Sequence, residues 1–216
     1  TIKLYKQRYY DCNMSHLREL LFSNHGLKLS YGPLRRWCHE LGLVKRKQRR
    51  RAKTRYYRSR KQAEGMMVQL DASPHRYNGR SNWHLVAAID DATSEIPYSE
   101  FFPEETTLAC MKVIRKVIEA KGIPLLIYTD RAGWSGGQKR THFSQFTRAC
   151  GELGIHVIFA NSPEAKGRIE RAFNTMQDRL IPELRLHRVK DIKDGNKYLQ
   201  STFLKKYWNP WPRVYC

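Results

Sequence analysis

No two cysteines or histidines in the chain stand at metal-binding spacing. The five cysteines, Cys12, Cys38, Cys110, Cys150 and Cys216, are scattered without a CxxC pair, and the eight histidines show no HxxxH. An odd, dispersed set of thiols argues against a disulfide framework and against zinc, and fits a reducing compartment. Long apolar runs are missing too, and no signal-peptide pattern occurs, so a membrane partner is not expected. Acid is scarce: 20 Asp and Glu face 40 Lys and Arg, for a formal charge of +20. The shortage is sharpest at the front, where residues 1–64 hold 18 basic side chains and 4 acidic ones. So polarised a positive field calls for an anionic partner, and nucleic acid is the one left.

What is present has the composition of a globular protein, with 41% hydrophobic residues. In "SHLRELLFSNH" (15–25) Leu17, Leu20 and Leu21 recur at helical spacing. "YGPLRRWCHEL" (31–41) repeats the pattern with Leu34, Trp37, Cys38 and Leu41, after Ser30 as a cap. Two short helices joined by a Gly-containing turn read as a helix-turn-helix, with Arg35, Arg36 and His39 on the exposed face of the second. An ordinary helical hairpin has the same pattern; the basic context favours DNA binding. "KRKQRRRAKTRYYRSRK" (45–61) then holds eleven Lys and Arg and no acid. It cannot bury a core and suits phosphate contact through Arg49, Arg50, Arg51 and Lys53, with Tyr56 and Tyr57 able to pack on sugar or base.

From residue 66 the pattern turns to short apolar runs, "MMVQLDA" (66–72), "WHLVAAID" (83–90) and "EIPYSEFF" (95–102), separated by turns. A helix over about 105–121, the buried strand "PLLIYTD" (124–130), a helix over about 141–153 and the strand "HVIFAN" (155–160) follow. Next comes "NSPEAKGRIERAFNTMQDRL" (161–180). There Ile169, Phe173, Met176 and Leu180 make an apolar stripe beside a polar one of Lys166, Glu170, Asn174 and Gln177. A last helix covers about 191–207. The expected fold is α/β: a three-layer core on a mixed five-stranded sheet, in the order βββαβαβα. The expected domains are residues 1–44 (helix-turn-helix), 45–64 (basic linker), 65–187 (core) and 188–216 (C-terminal helix and tail).

Three acids stand out by place: Asp71 closing the first strand's apolar run, Asp130 closing the fourth strand, and Glu170 on the following helix. Each alone reads as a turn residue or a solvated face. Together they fit the carboxyl ends of neighbouring strands, where sites form in open sheets. Converging carboxylates repel unless cations neutralise them, and hard oxygen donors favour magnesium or manganese. Two such ions serve displacement at phosphorus. Asp90 and Asp91, in "DDATS", read as a turn, Glu104 and Glu105 as helix caps, and Glu164 as a first-turn dipole partner.

"VQLDAS", "YTDRAG" and "NSPEAKGRIERAFNTMQ" resemble the motifs of the retroviral-integrase-type DDE catalytic core, an RNase H-like fold. "QLDASPH", "AIDDATSEI", "FFPEETT" and "FANSPEAKGRIER" narrow the resemblance to ISNCY-type insertion-sequence transposases. It covers about 66–185 and includes the spacing Pro163, Gly167, Glu170; it departs at Arg131-Ala132, where wider relatives carry Asn-Gly. The resemblance implies a DNA transposase whose catalytic residues Asp71, Asp130 and Glu170 ligate two Mg2+ (or Mn2+) ions. Lys166 and Asn174 would contact substrate phosphate, and Gly167 would keep the helix bare for the DNA backbone. Implied too are transposon-end and target DNA as partners, a homo-oligomer on DNA, and a bacterial cytoplasmic location, nucleoid-associated when DNA-bound. A non-catalytic DNA-binding relic and an RNase H-type nuclease are the competing readings. The abrupt start at Thr1 and the ending "PWPRVYC" are expected of an incomplete transposase, the alternative being a short member whose tail packs through Trp208 and Trp211.

Replacing Arg49, Arg50, Arg51 and Lys53 with Ala should weaken binding to all DNA sequences alike. It should also flatten the log–log salt dependence by roughly 0.9 for each phosphate no longer neutralised. Changes at Arg35 or Arg36 should instead blunt discrimination between sequences. Titrations at several salt concentrations that give the linker variant an unchanged slope would contradict this division.

Overall fold

The structure is a computed structural model that describes residues 2–44, 59–130, 145–160 and 167–208. Arg49, Arg50, Arg51, Lys53, Tyr56, Tyr57, Arg131, Ala132, Pro163, Glu164, Lys166 and Trp211 lie outside them. The front of the chain forms three helices, α1 (Ile2–Gln7), α2 (Met14–His25) and α3 (Tyr31–Glu40). The Asn13 side chain caps α2 by accepting from the His16 amide at 2.9 Å, which satisfies one of the helix's orphan donors. Leu17, Leu20 and Leu21 of α2 pack with Leu34 and Cys38 of α3 and with Tyr5 and Tyr9 around α1. The apolar stripe of α3 is narrower than its spacing suggested. Trp37 and Leu41 are 48% and 51% exposed, because Leu34 and Cys38 alone face α2. His39, expected on the open face, is half-buried, and its Nδ1 meets the Val44 carbonyl at 2.9 Å.

The core is a five-stranded sheet, β1 (Val68–His75), β2 (Trp83–Asp90), β3 (Tyr98–Phe102), β4 (Leu126–Thr129) and β5 (His156–Phe159), in the order β3-β2-β1-β4-β5. β1, β2 and β3 pair antiparallel, while β4 and β5 run parallel to β1. Alternation sorts the side chains between two faces. Val68 and Leu70 of β1, Val86 and Ala88 of β2 and Ile127 of β4 pack on α4 (Thr107–Lys121) and α5 (Gln145–Glu152). Leu85, Ala87 and Ile89 face α6 (Gly167–Leu186), α7 (Ile192–Tyr198) and a π-helical segment, Leu199–Trp208. This is the expected three-layer α/β core. At the start of α4 the cap is Thr106, not Glu104 or Glu105: its hydroxyl accepts from the Ala109 amide at 3.1 Å.

α7 closes the sheet's open edge. A Cβ at Gly195 would lie 3.0 Å from the Trp83 ring and 3.3 Å from the Phe101 ring, so any larger residue would crowd these rings. Its neighbour Asn196 accepts from the Phe101 amide at 2.7 Å and donates to the Phe101 carbonyl at 3.0 Å, pairing backbone groups that an edge strand leaves unmade. The Trp208 indole donates to the Ser94 carbonyl at 3.1 Å.

One buried carboxylate joins the helical module to the core. Glu183 of α6, 2% exposed, meets His16 of α2 at 2.6 Å and accepts from Tyr207 at 2.8 Å and from Tyr198. Burial alone would raise its pKa; the hydrogen bonds from His16, Tyr198 and Tyr207 outweigh burial and hold it at about 2. Two flanking pairs reinforce the joint, Arg179 on Glu19 at 2.6 and 2.9 Å and Arg185 on Asp11 at 2.8 and 2.6 Å.

Glu183→Ala strands His16 and two tyrosines and should cost about 3–5 kcal/mol in urea denaturation. Because the folded pKa is depressed from its ordinary 4.5, the carboxylate's contribution is complete above that value and disappears as pH falls towards 2. Glu183→Gln should remove that acid-side decline; a pH–stability curve identical to wild type would contradict the assignment.

Candidate active site

Register decides where the first two aspartates sit. β1 pairs with β4 at Val68–Ile127 and Gln69–Tyr128, and the same offset carried two residues on sets Asp71 beside Asp130. Side chains at one level of a parallel pair share a face, and strand axes lie about 4.8 Å apart. β1 continues to β2 on one side of the sheet and β4 to β5 on the other, so the two acids lie where strand order reverses. Both are half-buried, and Asp71 accepts from the Ala72 amide at 3.0 Å. Their joint field is felt across the sheet: burial pushes the Cys110 thiol up, and the charges of Glu105, Asp71 and Asp130 push it further.

α6 supplies the third acid, and its axial position is fixed by two side-chain links to β1. Upstream, fully buried Asp91 accepts from Gln69 at 2.8 Å, from the Lys61 amide at 2.8 Å and from the Arg168 guanidinium. Downstream, Gln177 donates to the Ser73 hydroxyl at 2.7 Å, and Tyr77 donates to the same oxygen at 3.2 Å. The upstream link joins residue 69 to 168 and the downstream link residue 73 to 177. The spans match, roughly 13 Å along strand and helix alike, so α6 runs in the direction of β1. Ile169, Phe173, Met176 and Leu180 are buried, as the apolar stripe requires. Glu170 and Asn174 are exposed on the flank that carries Gln177, level with the stretch of β1 that holds Asp71.

Asp91 and Arg168 have structural roles that sequence reasoning missed. "DDATS" is a turn as expected, with Asp90 accepting from the Thr93 amide at 2.8 Å and the Gly65 amide at 2.9 Å. Its neighbour Asp91 points inward as the clamp. The available signal is Arg168 itself, a cation on the flank of α6 opposite Glu170, where a solvated face has no need of one.

The donor set of Asp71, Asp130 and Glu170 is all carboxylate oxygen, suited in type to a hard divalent ion. Among the described residues, no group of three or more His, Cys, Asp or Glu side chains is gathered closely enough to hold a metal. The extended register aligns the two aspartates; Glu170 does not close a cage with them in this arrangement. Arg35 and Arg36 are exposed and line a cleft of about 1380 Å³ that α3 shares with Thr175, Gln177 and Asp178 of α6. Among the described residues no helix is long and apolar enough to cross a membrane.

Comparison with known proteins bears on this arrangement. The chain is 36% identical over 213 residues to a presumed transposase of Sinorhizobium fredii, y4bF, covering 94% of this chain and 45% of that protein. It is 30% identical over 242 residues to the transposase for insertion sequence IS1202 of Streptococcus pneumoniae, covering 93% and 52%. The chain is transposase-like. It spans about half the length of these curated relatives. No protein-family model matches it. Among solved structures, the simian T-cell lymphotropic virus intasome aligns with a TM-score of 0.57 at 17% identity, over 90% of this chain and 65% of that one. The HTLV-2 integrase catalytic core domain in complex with magnesium aligns with a TM-score of 0.52 at 17% identity, over 64% and 84%. The fold of this transposase-like chain is therefore that of the integrase catalytic core.

Arg168→Ala leaves the buried Asp91 charge without its cation and should cost about 3 kcal/mol of stability. Glu170→Gln, on an exposed flank, should stay within about 0.5 kcal/mol of wild type. Chemical denaturation of both variants checks this; equal losses would mean that Arg168 is not part of a clamp.

Proposed function

We propose that the chain is the catalytic part of a DNA transposase, performing divalent-metal-dependent cleavage at mobile-element ends and joining of the 3′-hydroxyl to target DNA. The observation that carries this reading is the β1–β4 register, which extended by two residues aligns Asp71 with Asp130 at the reversal of strand order, on a fold shared with integrase cores and in a sequence similar to transposases. Asp71 and Asp130 would hold Mg2+ or Mn2+ between adjacent strands, with Glu170 completing the set for two ions from α6. When bound, such ions polarise the phosphodiester and activate water or a hydroxyl as nucleophile, so no protein nucleophile is required.

The residues around the acids have separable tasks. In the cleavage step a water oxygen bonds to phosphorus and the 3′ oxygen leaves. In the joining step that 3′-hydroxyl attacks a target phosphodiester and a new 3′-hydroxyl is released. The three carboxylates fix where the reacting phosphate lies, while Gly167, beside which a Cβ would meet nothing within 4 Å, leaves the helix surface open to the backbone. Lys166 and Asn174, before and after Glu170 on the same stripe, would contact substrate phosphates. Arg35 and Arg36 would read element-end DNA, with Arg49, Arg50, Arg51 and Lys53 on flanking phosphate. Both ends of an element must be held together for paired joining, which calls for more than one copy of the chain on DNA. The bacterial cytoplasm and its nucleoid are where such a reaction would run. The reading as a DNA-binding relic draws on the open arrangement of Glu170; retention of all three acids weighs against it.

Asp71→Asn, Asp130→Asn and Glu170→Gln should each abolish metal-dependent cleavage while leaving DNA affinity within about twofold. The loss should exceed the roughly 10–100-fold that removing an outer partner of a metal site costs. Glu164→Gln should retain most activity. A strand-transfer assay on 3′-end oligonucleotides also separates the transposase from a relic, which joins nothing, and from an RNase H-type nuclease, which cuts only hybrid. Activity in Glu170→Gln together with inactivity in Glu164→Gln would reassign the third ligand.

A further inference from the structure

α6 ends in an unusual way. The Val189 amide donates to the Leu184 carbonyl at 2.9 Å and the Arg188 amide to the Arg185 carbonyl at 3.0 Å, the two bonds of a Schellman motif, with Arg188 at φ 56°. The same pair of bonds closes α3 at Gly42 and α5 at Gly154, and α2 ends at left-handed Gly26. Glycine suits that conformation because any Cβ is strained in it. At this one helix end of the four the chain keeps a side chain, and the side chain is a cation.

Arg188 belongs to a cluster. A cleft of about 420 Å³ lies between the β1–β2 turn and the segment after α6, lined by Tyr10, Asn78, Arg80, Arg185, Arg188 and Lys190 among others. Asn78 holds its two walls together: its Nδ2 donates to the Lys190 carbonyl at 3.1 Å, while its Oδ1 accepts from the Arg80 amide at 2.9 Å. Arg185 is neutralised by Asp11 and lies over the Tyr10 ring at 4.5 Å. Among the described residues no carboxylate pairs with Arg80, Arg188 or Lys190. Three exposed cations without carboxylate partners line one cleft, Arg188 at the expense of local backbone preference, and an anion entering it would be attracted by all three.

We infer that this cleft is a phosphate-backbone contact for DNA, distinct from the acids on β1 and β4 and occupied by duplex flanking the reacting phosphate. From Glu170 to its end at Leu186 α6 extends roughly 24 Å, the length of about seven base pairs of B-form duplex, and Arg188 follows two residues later. One duplex lying along α6 therefore reaches both. The commitment to DNA rests on the proposed transposase reading; the cleft itself rests on the unpaired cations and the left-handed arginine.

Arg188→Gly separates charge from structure, because glycine is the better residue for that backbone. In thermal melts the variant should unfold no lower than wild type. In anisotropy titrations with a duplex several helical turns long it should bind more weakly, with a log–log salt slope shallower by about 0.9. Over a fourfold rise in salt its deficit relative to wild type should then narrow by about 3.5-fold. Arg80→Gln with Lys190→Gln should flatten the slope further without touching Arg188. Unchanged affinity and slope in both variants would overturn the cleft, as would weakened binding that merely follows a lowered melting temperature. Failure of the wild-type chain to bind DNA at all would bring down the transposase reading with it. Intact binding and metal-dependent cleavage with unmoved slopes would bring down the cleft alone.

Discussion

The geometry of the candidate site depends on how α6 is held along β1. A helix can slide a turn on an apolar face at little cost in buried area, because the hydrophobic effect is non-directional. Here it cannot, since Gln69, Asp91 and Arg168 grip it at one end and Ser73 and Gln177 at the other. Moving α6 by one turn would break both links and leave a buried carboxylate without its cation. Glu170, exposed on the helix flank, inherits its height over the sheet from these neighbours.

The same helix couples the two parts of the molecule. Its first half lies on the sheet beside the acids, and its second half carries Arg179, Glu183 and Arg185 into the helical module. Each of these contacts joins opposite charges or places a charge on hydrogen-bond donors, which are directional where apolar packing is not. α3, with Arg35 and Arg36, is thus held in a defined relation to α6, and the cleft between them is a consequence of that docking. The overall charge of +20 makes the molecule repel itself, and a polyanion bound to it would relieve that repulsion.

Much of this is legible in the chain itself, because it is written in local periodicity. Leu85, Ala87 and Ile89 alternate with Val86 and Ala88, which places β2 between two layers; Ile169, Phe173, Met176 and Leu180 mark the buried stripe of α6. Pairing of Asp71 with Asp130 follows once strands one and four are neighbours. β1 runs on to His75, past residue 72 where its apolar pattern stops: Pro74 stays in the ladder opposite His84 although it lacks an amide donor. The long-range polar links are not legible. Glu183 with His16 and Arg168 with Asp91 are far apart in sequence, and no local pattern announces which charge will be buried. α1 and the change from α to π geometry after Tyr198 likewise depend on tertiary packing. Arg188 is visible only as an arginine until its backbone angle is known.

Convergence of Asp71, Asp130 and Glu170 on divalent ions is the point on which the proposed chemistry turns. Anomalous diffraction from crystals of the chain soaked with Mn2+ tests it most directly, since it locates the ion independently of any activity. The expected result is anomalous peaks between the Asp71 and Asp130 carboxylates, with Glu170 moved in to ligate. Peaks elsewhere, or a peak on the two aspartates that Glu170 never approaches while Glu164 or Asp90 does, would contradict it.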